Sequence, residues 1–264
     1  MRNFVKLLPA LALVALTATT ARAGIVAHPR VFNDVPGSNL TFTTGADFAV
    51  INDQGVSKTA PGGANRHDAA ISDGATGDVF NNSDYWTLSA DVNLTALGGL
   101  TPRKEGGLRV NNSVGGDFLF ILNSDGHEVV SFGGPGPFFN FRDHGVPNYN
   151  SGDTITMLIN YAQDPNGTID PITGKIRNGV VLAAGGEYSP FLPMFNLENG
   201  FLDNSQIAMY GQVGNDPANP QNGINAAFRN VRFSRTDGSA IPEPSSLALL
   251  AGGLLPLLGL RRRK

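Results

Sequence analysis

The chain contains no cysteine, one tryptophan and only 16% charged residues in 264. Without cysteine there is no disulfide, no thiolate metal site, no iron–sulfur centre and no cysteine nucleophile. Positive charge is also scarce: 19 Lys and Arg stand against 22 Asp and Glu, a formal net of -3, which disfavours a nucleic-acid binder. Long helical periodicity is missing, and no repeat of fixed length is visible, which argues against a propeller or solenoid. What the chain does have is glycine (33), proline (17) and 41% hydrophobic residues, enough for a packed core broken by many turns.

The charge is distributed unevenly. Met1-Arg2-Asn3-Phe4-Val5-Lys6, the apolar run Leu7–Leu16 and Ala21-Arg22-Ala23 follow the pattern of a secretory signal peptide. It predicts a leader over residues 1–23, removed by signal peptidase. At the other end, Pro242-Glu243-Pro244 precedes a 14-residue apolar run, 247–260, and then Arg261-Arg262-Arg263-Lys264. As a helix, 14 residues span roughly 21 Å, short of a ~30 Å hydrocarbon layer, with the terminal cations as a membrane stop. Three of the 19 cations lie in the leader and four in the tail, as does one of the 22 acids. Residues 24–241 therefore keep 12 cations against 21 acids, a net of -9.

The order Pro-Glu-Pro, short Leu/Gly-rich span, Arg cluster resembles the PEP-CTERM sorting signal of exported bacterial proteins. That resemblance implies processing by an exosortase and places the sorting motif at Pro242, Glu243 and Pro244. It also implies transient anchoring in the inner membrane before release to the cell surface or extracellular matrix. The expected organisation is a signal peptide (1–23), a β-sandwich ectodomain (24–240) and a sorting tail (241–264). A signal helix and a short transmembrane helix would flank the domain, with membrane contact only before the tail is processed.

Between the ends the pattern is that of strands. From Trp86, the residues Trp86, Leu88, Ala90, Val92 and Leu94 alternate with Thr87, Ser89, Asp91 and Asn93. Asp117–Leu122 and Glu128–Phe132 flank an Asp125-Gly126 step, which predicts a hairpin. Further strands are expected at Thr41-Phe42, Phe48–Ile51, Gly107–Val110, Thr154–Tyr161, Gln206–Val213 and Asn225–Ser234. The last is expected to alternate strictly, Ala227, Arg229, Val231 and Phe233 against Phe228, Asn230 and Arg232. Residues 52–78 read as a long polar loop. The fold class is all-β, a two-sheet antiparallel jelly-roll sandwich. The sequence of pieces over residues 80–235 resembles the concanavalin A-like lectin/glucanase sandwich, which implies a carbohydrate-related role.

Chemistry is harder to find. The resemblance implies, for a glucanase, a Glu-x-Asp-x-x-Glu strand, and the chain has none. Glu105, Glu128, Glu187 and Glu198, with Asp47, Asp53, Asp68 and Asp73, read as solvated turn carboxylates. His67-Asp68 and Asp143-His144 are adjacent pairs in which an acid could orient an imidazole, and surface histidines explain them equally well. Phe132, Phe138, Phe139 and Phe141 in the Gly/Pro-rich segment 131–142 fit a loop folded over the core better than a sugar platform, and Phe191, Phe195 and Phe201 are read in the same way. Asp164, Asn166 and Asp170 carry oxygen donors at the spacing calcium prefers, although Asp-Pro and Asn-Gly are also ordinary turn formers. No catalytic residue and no resident cofactor are expected. The leading expectation is a noncatalytic surface protein for adhesion or exopolysaccharide association, with no ligand-binding residue identified. The alternatives are a secreted polysaccharide-active enzyme, whose two carboxylates would come from distant parts of the chain, and a structural biofilm component.

Overall fold

The computed structural model describes residues 24–236 apart from 73–76, 112–115, 135, 147, 172–173 and 195–205. In chain order the strands are β1 (Gly24–Asn33), β2 (Asn39–Thr44), β3 (Ala49–Gln54), β4 (Ala64–Ser72), β5 (Trp86–Leu97), β6 (Lys104–Asn111), β7 (Phe118–Asn123) and β8 (Glu128–Phe132). They continue as β9 (Phe139–Asn140), β10 (Thr154–Gln163), β11 (Asn178–Ala184), β12 (Glu187–Tyr188), β13 (Leu192–Pro193), β14 (Gln206–Gly214) and β15 (Gly223–Arg235). A 3-10 turn, Phe141–His144, is the one helical element among the described residues.

These strands form two antiparallel sheets. One has the order β1-β4-β14-β6-β7-β8-β9 and the other β12-β11-β10-β5-β15-β3-β2, with β13 paired to β11. Consecutive strands pair towards one side of each sheet, β6 to β9 and β10 to β12, while elsewhere distant segments are brought together: β14 lies between β4 and β6, and β15 between β5 and β3. This is the jelly-roll-like sandwich that the turn-punctuated sequence predicts.

Period-two alternation puts one side of each strand between the sheets. On β5, Trp86, Leu88, Ala90, Val92 and Leu94 are at most 1% exposed and meet Leu108, Val110, Phe118, Phe120 and Met209 of the opposite sheet in one apolar core. Trp86 stacks on Tyr161 at 6.0 Å between ring centres and Phe80 meets Phe233 edge-on at 5.5 Å. The β7–β8 hairpin forms as expected, but the left-handed residue is His127 (φ 52) rather than Gly126. At Gly126 a Cβ would lie 2.7 Å from Asn123 Oδ1 and 2.8 Å from Glu128 Oε2, so those two side-chain ends would have to shift to admit one.

Four expectations are corrected. The 52–78 loop contains β4, a nine-residue strand paired between β1 and β14 in the seven-stranded sheet. Its alternation escapes notice because its inward residues include the polar Asn65 and His67. Strict alternation also fails on β15, where a bulge between Arg229 and Arg232 leaves Arg229 and Asn230 both outward and returns Val231 and Phe233 to the core side. The described fold contains neither of the expected flanking helices: no helix among the described residues is long and apolar enough to cross a membrane. Residues 1–23 and the tail with Pro242, Glu243, Pro244, Arg261, Arg262, Arg263 and Lys264 lie outside the described residues. Inner-membrane anchoring therefore has no structural support and is withdrawn as an expectation.

Candidate active site

The outer face of the seven-stranded sheet carries a connected cluster of ionisable residues. Cross-strand partners share a face, so the register itself lists them in rows. One row runs Arg66 (β4), Gln212 (β14), Glu105 (β6), Asn123 (β7), Glu128 (β8), and the next runs Asp68, Tyr210, Gly107, Ile121, Val130. A third holds Ala70, Ala208, Arg109, Leu119 and Phe132. Gly107 matters because a Cβ there would come within 2.2 Å of the Phe120 carbonyl oxygen.

The charged groups form one chain. Arg109 donates through Nη1 to Asp68 and through Nη2 to Asp117 Oδ1 at 2.7 Å. Asp117 Oδ2 in turn accepts from Arg66 Nη1 at 2.5 Å, and Arg66 Nε reaches Gln212 Oε1 at 3.2 Å. The Arg66 guanidinium lies 5.6 Å from the centre of the Tyr210 ring. Tyr210 donates to Glu105 Oε2 at 2.7 Å, and Glu105 Oε1 accepts from Arg103 at 2.5 Å.

Although this is an outer face, most of it is out of water. The side chains of Arg109 and Asp68 are 2% and 6% exposed, while Arg66 and Asp117 form a rim at 19% and 20%. Tyr210 packs with Leu119, Ile121, Val130 and Phe132 in a second, small apolar cluster. Burial pushes the Asp68 carboxyl up to about 6, with Asp117 adding to the rise and Arg109 and Arg66 opposing it. Burial, followed by the Glu105 charge, likewise raises the Tyr210 hydroxyl, which stays a neutral donor. Asp68 Oδ1 and Arg109 Nε, both buried, have no hydrogen-bond partner.

Glu105 and Asp68 are thus not the solvated turn carboxylates the sequence suggests. Nor is Asp53, which is fully buried on β3 and accepts from Asn65 Nδ2 at 2.9 Å and meets His67 Nε2 at 2.8 Å across the sandwich. Burial raises the Asp53 carboxyl, but hydrogen bonds from His67, Ser38 and Asn65 outweigh it and the net shift is downward. His67 and Asp68 therefore do not act as a pair; as strand neighbours they point to opposite faces. Asp143 and His144 sit exposed on the 3-10 turn, where His144 stacks on Phe139 at 4.5 Å. Phe139 and Phe141 are buried and Phe138 is 67% exposed.

Asp164, Asn166 and Asp170 lie in the β10–β11 connection. Asp164 Oδ1 accepts from the Asn166 amide at 2.8 Å, and the Asp170 amide donates to the Lys175 carbonyl at 2.7 Å. Among the described residues no group of three His, Cys, Asp or Glu is arranged to hold a metal ion.

No protein-family model matches the chain, and no curated protein matches it in sequence. The Pro-Glu-Pro tail accordingly gains no family support, and the exosortase reading goes no further. Solved structures do resemble it. An alginate lyase of polysaccharide lyase family 7 covers 75% of this chain and 82% of its own at 12% identity and a TM-score of 0.42. The alginate lyase from Corynebacterium sp. covers 78% and 83% at 9% identity and a TM-score of 0.41. The metal-free lectin I-B4 from Griffonia simplicifolia covers 80% and 98% at 14% identity and a TM-score of 0.32. At these identities and TM-scores the likeness is one of two-sheet sandwich architecture. The noncatalytic expectation is corrected at the site itself: Asp68 and Glu105, which read as solvated turn carboxylates, belong with Asp117 to one largely buried network of ionisable groups, an arrangement open to catalysis.

Proposed function

We propose that the chain is a polysaccharide-active enzyme that cleaves glycosidic bonds by acid–base chemistry on the outer face of the seven-stranded sheet. One observation carries this reading: Asp68 and Asp117, 49 positions apart in sequence, are held at the two ends of the Arg109 guanidinium. Bond cleavage at a sugar needs one group that holds a proton near working pH and one that stays ionised. Asp68, at about 6, fits the first role. Asp117, gripped by two guanidiniums and partly exposed beside Arg66, is the carboxylate a substrate meets. Tyr210 and Glu105 supply a neutral donor and a further acceptor beside them.

The test is incubation of the purified protein with neutral and uronate-containing polysaccharides, reading both new reducing ends and the ultraviolet absorbance of unsaturated uronate. Reducing ends alone indicate hydrolysis, and absorbance indicates elimination. Asp117→Asn, which keeps the side-chain shape and one acceptor oxygen for the guanidiniums, is expected to lower turnover by ~10²-fold or more while circular dichroism shows the fold retained. Failure of the unaltered protein to generate new ends on every polymer would overturn the reading. Removal of residues 1–23 by signal peptidase, a polysaccharide partner outside the cell and calcium at Asp164, Asn166 and Asp170 belong to the same proposal. Mass spectrometry and calcium titration test the first and last of these.

A further inference from the structure

The outer face of the other sheet has a pocket of its own. A cavity of about 480 Å³ is lined by Asp47, Phe48, Val50, Phe228, Arg229 and Asn230, within the ~300–1,000 Å³ of small-molecule sites. It sits where the β2–β3 turn meets the bulge of β15.

Both walls are built features. The turn closes through the Gly45 amide on the Phe48 carbonyl at 2.9 Å. A Cβ at Gly45 would lie 2.2 Å from the Phe48 ring, so only glycine lets the ring fold back over the turn. There the ring remains 36% exposed, an aromatic surface fixed in place yet wet. The opposite wall exists because of the bulge. Asn230 adopts φ 51, unusual for a residue with a side chain, and as a result two consecutive residues, Arg229 and Asn230, face outward. The Val231 amide donates to the Asp47 carbonyl at 2.9 Å and ties the two walls together. Asn230 is set by its bond to Asp91 Oδ2 at 2.6 Å, and Asp91 Oδ1 is in turn held by Thr156 at 2.6 Å. The Arg229 guanidinium makes no ion pair or hydrogen bond among the described residues and is exposed.

We infer that this pocket binds a pyranose residue of a polysaccharide, as a holding site separate from the chemistry on the opposite face. A pyranose offers an apolar C–H face and a rim of hydroxyls. The Phe48 ring matches the first, and the Arg229 guanidinium, the Asp47 carboxylate and the Asn230 amide match the second. The backbone strain at Asn230 is then explained by what it presents. The site does not depend on the cleavage reading, because none of its residues touches the Arg66–Asp117–Arg109–Asp68 chain.

Affinity electrophoresis of the full protein through gels containing a neutral glucan or a polyuronate tests the site. Phe48→Ala is expected to weaken retention roughly ten-fold, Phe48→Trp to keep it, and Arg229→Ala to weaken it without altering the melting temperature. If the Arg229 effect is confined to the polyuronate, the sugar is acidic; if it is equal in both gels, the guanidinium reads hydroxyls. Unchanged retention in both Phe48→Ala and Arg229→Ala overturns the site, as does absence of retention of the unaltered protein in every gel. Asp117→Asn separates the two readings: it is expected to lower cleavage by ~10²-fold or more and leave retention intact.

Discussion

Two outer faces, built by the same alternation, carry opposite chemistry. On the seven-stranded sheet Arg66, Asp68, Glu105, Arg109 and Tyr210 are locked into a largely dry network. On the eight-stranded sheet the outward positions are short and uncharged over most of their extent: Thr41, Thr43, Asn52, Asn225, Thr95, Asn93 and Thr154 lie in register across β2, β3, β15, β5 and β10. These side chains are exposed or half-exposed. The difference teaches where this protein concentrates charge. An ion pair in water is worth ~0–1 kcal/mol, whereas a buried charge that loses its partner costs ~3–5 kcal/mol. The wet face therefore tolerates substitution and the dry face does not.

The largest expected effect breaks the comparison at Arg109. Arg109→Met leaves Asp68 buried without its cation and should lower unfolding free energy by ~3–5 kcal/mol in urea titration. A loss under ~1 kcal/mol would show the two faces to be energetically alike. Next comes Asp68 itself, and the sign of its pH dependence is opposite to the usual carboxylate case. Its folded value of about 6 stands above the ordinary 3.8, so the folded state binds the proton more tightly. The stabilisation this gives is complete below pH ~4 and lost as pH rises through ~6, a change of ~3 kcal/mol. Asp68→Asn removes that slope, and its stability relative to the unaltered protein should improve by that amount between pH 4 and 7. Parallel curves would sink the assignment. The smallest effect sharpens the contrast from the wet side: Thr43→Ala should stay within ~0.5 kcal/mol, and a larger loss would reveal a partner for that face.

Much of this was legible from the residues, and what was not has identifiable causes. Strand β5 was plain because every second residue from Trp86 to Leu94 is apolar and goes to the core. Strand β4 was not, because Asn65 and His67 take inward places and mask the alternation. The phase of β15 was wrong after Arg229 because one extra residue enters the strand at the bulge, and composition gives no sign of it. Glu105 and Asp68 looked like turn acids because an isolated carboxylate in a sequence carries no record of its neighbour. A signal did exist: Arg66-x-Asp68 and Glu105-x-Gly107-x-Arg109 both place ionisable groups at strand spacing. What they pair with follows only from the strand order β4-β14-β6, in which β14 pairs with two strands from the first half of the chain.

The Asp53–His67 contact has a mechanical meaning. Two greasy layers pressed together resist separation but slide over one another with little penalty, since one methyl neighbour serves as well as the next. A carboxylate on β3 fastened to an imidazole on β4 at 2.8 Å, with Asn65 on the same oxygen at 2.9 Å, has no second position to occupy. It acts as a dowel through the sandwich, holding against shear the alignment of two faces that never touch.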